Sequence, residues 1–196
     1  HTVESSQAPA RVILTPIITD FIGRKQTIEQ ALQQVDKWRD ESSHRVLFDR
    51  RFKLMIDGAI YSGLAQFKFP GYIDGHEGVW MVPHKVTQQW AQAFWDAGYQ
   101  LHAHTNGDGS AEVLIELLKS LQSNTPTADH RLALEHFAYT TEDQNRQLAE
   151  LGAVVSANPY YHFILSDIYS DQWLGADRGN QMVRLGSLER LGMPFA

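Results

Sequence analysis

Two histidines close consecutive apolar runs that read as strands. His104 ends the run 99–104 (YQLHAH), and His136 ends the run 131–136 (RLALEH). Neutral imidazole is a common ligand for zinc and similar ions, and side chains at the carboxyl ends of neighbouring parallel strands face one site. The pair can therefore hold a metal, although in a chain with nine histidines two at strand ends can also arise by chance. His102 shares a strand face with His104. It reads as a further ligand or, preferentially, as a packed core histidine one layer deeper. Lys53 lies inside the apolar run FKLMI (52–56), where a charged amine is costly to bury. It either points outward and snorkels or points inward and reacts with CO2. The resulting carbamate is anionic, and its two oxygens can bridge two metal ions. Spacing alone does not choose between these. Asp57 and Gly58 close that run, and Asp108 follows His104 in the segment TNGD.

The elements that must position these residues alternate in type. Residues 11–18 (RVILTPII) read as a strand, which Pro16 weakens by removing a ladder donor. Residues 27–40 place Ile28, Ala31, Leu32, Val35 and Trp38 on one helical face. After the strand 52–56, residues 58–82 are Gly-rich and aromatic without a period, which predicts a long loop of the kind that carries function. Helices are predicted over 86–97, 110–121, 142–151 and 182–191. Strands are predicted over 99–104, 131–136 and 153–157, with one more beginning at 193. Residues 158–181 read as a second long aromatic loop. Strand–helix alternation of this kind argues a parallel sheet with right-handed crossovers, either doubly wound or a (β/α) barrel.

Composition narrows the function classes. Of 196 residues, 43% are apolar and 20% charged, enough for a sizeable core. Cysteine is absent, which excludes disulfides, thiolate zinc sites, iron–sulfur clusters and cysteine nucleophiles. The net charge of −6 argues against a nucleic-acid surface. No apolar run approaches the ~20 residues of a membrane span. The chain opens at His1, and its polar segment 1–10 does not read as a signal peptide. The expected organisation is that tail followed by one domain over 11–196, with the cytoplasm as default location. Neither G-x-G-x-x-G nor G-x-x-x-x-G-K-[ST] occurs, nor the G-x-S-x-G elbow that a doubly wound hydrolase reading would need.

Four stretches, KLMIDGAIYSGLAQ, GYQLHAHTNGDGSAEVLIE, HRLALEHFAYT and LGAVVSANPYYH, carry a resemblance. In order and spacing the chain from about Lys53 to Ala196 resembles the metal-dependent amidohydrolase superfamily, in particular the amidohydrolase-3 branch with its N-substituted formamide deformylases. The resemblance implies a (β/α)8 TIM barrel with one or two divalent ions, zinc above all, at its C-terminal face. Lys53 is similar to the lysine carboxylated on the fourth barrel strand of binuclear members. His104 and His136 are similar to the ligands on the fifth and sixth. Asp108, His102 and Asp57 would support them, with a loop-shaping role for Asp108. Tyr160, Tyr161 and Trp80 are candidates to line a pocket for a small amide-type substrate.

Two parts of the family pattern are missing: an H-x-H pair on the first strand and a catalytic Asp on the eighth. The expectation is an incomplete barrel, roughly strands 3 to 8, and a fragment of a hydrolase that cleaves carbon–nitrogen bonds with metal-activated water. No catalytic residue is identifiable in the chain itself, and the isolated chain is expected to be inactive. Open sheet edges invite pairing, so a homo-oligomer or swapped assembly is expected, with no nucleic-acid or membrane partner. The competing expectation is a non-catalytic α/β module that binds a metal or small molecule. His104→Ala should abolish metal binding in the first case and leave a metal-free binding module untouched in the second.

Overall fold

The computed structural model describes residues 10–196. The predicted polar tail therefore lies, apart from Ala10, outside the described residues. The chain folds as an α/β protein of parallel strands and connecting helices, an incomplete TIM-barrel arrangement. Among the described residues the strands are β1 (Val12–Leu14), β2 (Val46–Phe48), β3 (Arg51–Met55), β4 (Gln100–Thr105), β5 (Ala133–His136) and β6 (Val154–Ala157). The α-helices are α1 (Ile18–Gly23), α2 (Ile28–Asp40), α3 (His84–Asp96), α4 (Asp108–Asn124), α5 (Glu142–Glu150), α6 (Tyr160–Ile168), α7 (Ala176–Gly179) and α8 (Leu185–Arg190).

The strands run side by side in chain order. β1 pairs with β2, and β3, β4, β5 and β6 form a four-stranded parallel sheet. A bridge from Ile17 to Lys53 joins the two sheets, and a bridge from Val155 to Phe195 extends the larger one. Strand alternation divides the chemistry. Phe52, Leu54, Leu101, Ala103 and Leu134 are buried on the face covered by helices. Phe52 stacks on Phe94 of α3 at 3.5 Å between ring centres, with Trp90 beside it. Lys53, Met55, His102, His104 and Glu135 are partly buried on the opposite face.

Local chemistry fixes the helix ends. α2 and α5 each begin with a capping box. The Thr27 hydroxyl accepts from the Gln30 N–H while the Gln30 side chain accepts from the Thr27 N–H, and Thr141 and Gln144 repeat the exchange.

Three sequence readings are corrected. The strand expected over 11–18 is confined to Val12–Leu14, because Pro16 interrupts it and Ile18 already opens α1. Residues 158–181, read as a loop, are largely helical: α6, a π-helical turn over Tyr169–Trp173, and α7. The Asn158 side chain accepts the Tyr160 N–H and starts α6. The aromatics of α6 surround the helix instead of forming a stripe, so no period betrays it. The helix expected over 182–191 begins only at Leu185. Residues 58–82 are irregular as expected, apart from a short 3-10 turn over Ile60–Ser62.

Candidate functional site

His104 and His136 meet at the carboxyl ends of β4 and β5. Their ring centres are 4.4 Å apart with planes inclined at 65°. The register explains the meeting: His104 is opposite Glu135, and Thr105 is opposite His136. His136 reaches the site through a left-handed backbone, φ 80°, and Phe137 follows at φ 49°. Such conformations are uncommon for bulky residues and persist where surrounding structure enforces them.

Each imidazole is held at one nitrogen. His136 Nδ1 lies 3.3 Å from the Tyr161 hydroxyl, while its Nε2 is buried with no partner among the described residues. His104 Nε2 lies 2.8 Å from Asn106 Nδ2 and 3.5 Å from the Gly58 carbonyl. Asn106 Nδ2 also donates to that carbonyl at 2.9 Å. Burial holds both histidines toward the neutral form. It lowers the His104 pKa, with the Lys53 charge adding to it. It pushes that of His136 down to about 4, helped by His104 and Lys53. Neutral rings are the metal-binding form.

One layer further into the sheet lies a hydrogen-bonded triad. Lys53 Nζ donates to Glu135 Oε2 at 3.2 Å, and Glu135 Oε1 lies 2.7 Å from His102 Nδ1. The hydrogen bond from His102, with the Lys53 charge behind it, lowers the Glu135 carboxyl to about 2. Lys53 therefore points to the interior face, and its partner is a carboxylate. His102 is an inward-facing residue in this network. Glu135 carried the same signal as Lys53, a charge inside an apolar strand, but its role depends on cross-strand register. Asn106 is the other functional neighbour that reading by motif did not single out.

Asp57 and Asp108 shape the loops. The Asp57 carboxylate is fully buried and accepts N–H bonds from Gln66 at 3.0 Å, Asn106 at 3.0 Å and Gly107 at 2.9 Å. Burial raises its pKa to about 6 against those donors. It locks segment 58–82 onto the end of β4. Gly107 permits the approach, since a Cβ there would collide with the Gln66 carbonyl. Asp108 accepts the Lys68 N–H at 3.0 Å and pins the same segment to the start of α4. Among the pocket candidates, Tyr161 touches His136, whereas Tyr160 is exposed and packs near Phe163. Trp80 bridges Asp57 and meets His84 edge-on.

The orphaned Nε2 of His136 fits a divalent ion, and the neighbouring His104 would join it once its Nε2 gives up the Asn106 amide. The described residues bring no group of three His, Cys, Asp or Glu side chains together for a metal. Lys53 would complete the set only after leaving Glu135.

Comparison with known proteins supplies the family and the fold. Residues 2–196 match the amidohydrolase family. Two solved structures share the fold, both described as uncharacterized metal-dependent hydrolases. The one from Pyrococcus furiosus has a TM-score of 0.65 at 18% identity, over 84% of this chain and 34% of that one. The one from Pyrococcus horikoshii OT3 has a TM-score of 0.68 at 15% identity, over 95% of this chain and 41% of that one. The chain thus spans less than half the length of either. No curated protein matches.

Proposed function

Because the chain belongs to the amidohydrolase family, we propose that it forms part of a metal-dependent hydrolase acting on carbon–nitrogen bonds of amide type, in the N-substituted formamide deformylase-like branch. The observation that carries this reading is the pair of neutral imidazoles, His104 and His136, 4.4 Å apart at adjacent strand ends, with His136 Nε2 buried and free.

His104 and His136 would hold a divalent ion, zinc in the first instance. When bound, such an ion polarises a carbonyl and acidifies water. The Tyr161 hydroxyl would keep the His136 ring in place, as an outer partner of a ligating histidine does, whereas the Asn106 amide, which donates to His104 Nε2, would give up that contact before His104 ligates. Asp57 fixes the backbone on which both Asn106 and Gly58 sit. Lys53, Glu135 and His102 provide a polar, hydrogen-bonded floor beneath the pair. In this reading Lys53 is available as a third ligand only if Glu135 gives it up, and Tyr160, Tyr161 and Trp80 stand toward the substrate side. The engagement of Lys53 by Glu135 also supports a second reading, a non-catalytic α/β module that binds a metal or small molecule.

Titration with zinc or cobalt(II) tests the proposal. His104→Ala and His136→Ala are each expected to weaken binding about tenfold or more. Tyr161→Phe should weaken it less. Equal affinity of wild type and both histidine variants would overturn the site.

A further inference from the structure

We propose that the Asn106 side-chain amide competes with the metal ion for His104, withholding one of the two imidazoles until it swings aside. The proposal rests on the metal reading of His104 and His136 given above and concerns how that site loads.

Both N–H groups of the Asn106 amide are spent at the site. Nδ2 lies 2.8 Å from His104 Nε2 and donates to the Gly58 carbonyl at 2.9 Å. An amide nitrogen only donates, so His104 Nε2 is the acceptor, and the proton of the neutral ring sits on Nδ1. Neither ring nitrogen is then open to an ion: the lone pair of one is occupied, and the other is protonated. The reversed amide would set Oδ1 in the place of Nδ2, facing the Gly58 carbonyl as acceptor against acceptor. His136, in contrast, presents a buried Nε2 with no partner among the described residues. At rest the pair is therefore unequal, with one nitrogen offered and one withheld.

The contact can open by side-chain rotation alone. The Asn106 backbone is pinned at both groups: its N–H donates to Asp57 Oδ1 at 3.0 Å, and its carbonyl accepts the Tyr139 N–H at 2.8 Å. The residue is buried, and its Oδ1 has no partner among the described residues. A buried acceptor left unpaired costs free energy. Only the two bonds from Nδ2 hold the amide where it is, and nothing is gained at its oxygen. Gly58, which takes one of those bonds, opens segment 58–82, and its carbonyl is also 3.5 Å from His104 Nε2. The seating of that segment thus sets how firmly Asn106 is held against the ring, and so couples the segment to loading of the site.

Two measurements on the full chain test this. Before metal is added, ring nitrogen shifts are expected to show His104 protonated at Nδ1, and Asn106→Ala should lose that preference. In titration with cobalt(II), Asn106→Ala is expected to bind about fivefold more tightly than the wild type, the equivalent of one hydrogen bond. An amide that supported the ligand would give the opposite sign. Equal or weaker binding by the variant, or a wild-type ring protonated at Nε2, overturns the competition and leaves the metal site standing. Cobalt bound by neither chain overturns the metal reading, and the competition with it. Should the variant not fold, titration of the wild type with zinc decides. Side-chain amide resonances of Asn106 that shift in step with loading support the proposal; resonances that stay unmoved through loading overturn it.

Discussion

His136 is where the backbone works hardest for the chemistry. At φ 80° a Cβ is unfavourable and glycine is not. His136→Gly is therefore expected to be more stable than His136→Ala by about 1 kcal/mol, read from urea midpoints, while both lose metal affinity. The same residue sets an acid sensitivity. Its folded-state pKa is about 4 against 6.5 for the free side chain. Between those values the unfolded chain binds more protons, so its contribution to stability is complete above pH 6.5 and is lost as pH falls toward 4. His136→Asn should flatten thermal stability across that window. Beneath it, Glu135 joins two partners that would otherwise be left without an acceptor. Glu135→Gln is expected to cost about 2 kcal/mol, with equilibrium unfolding as the measurement. No such loss would mean that solvent already screens the triad.

At the scale of elements, helix starts are local and therefore portable. Thr27→Ala and Thr141→Ala each remove a capping box and are expected to cost about 1 kcal/mol apiece. Their effects should add, since they sit on different helices. Locality also explains what could be read in advance. The alternation of Leu101 and Ala103 with His102 and His104 is written into β4, and so the two strand-end histidines were legible. The stripe of α2 was legible too, and so was the irregularity of residues 58–82. What could not be read depends on partners remote in the chain. The attachment of Lys53 to Glu135 requires the register that sets Lys53 opposite His102 and His102 opposite Ala133. The short helix α1 follows a proline-broken strand, and α6 buries none of its residues, so neither shows the apolar stripe by which helices announce themselves.

Taken as a whole, the sheet has two outer rows, β1 at one side and residues 194–196 against β6 at the other. Ile13 is 47% exposed on the first, and Phe163 of nearby chain segment α6 is 82% exposed. Unpaired backbone and uncovered apolar groups promote pairing between molecules. Expressed as these 196 residues, the protein is expected to self-associate, and light scattering showing a monomer at all concentrations would contradict that. The same sheet keeps its two obligations on opposite sides. Residues 52, 54, 101, 103 and 134 meet the helices, while 53, 102, 104 and 135 meet the site. On the proposed function, neighbouring codons would serve separate ends: one set the amount of folded protein, the other its reactivity, so that substitutions at alternate positions could revise the second without unsettling the first.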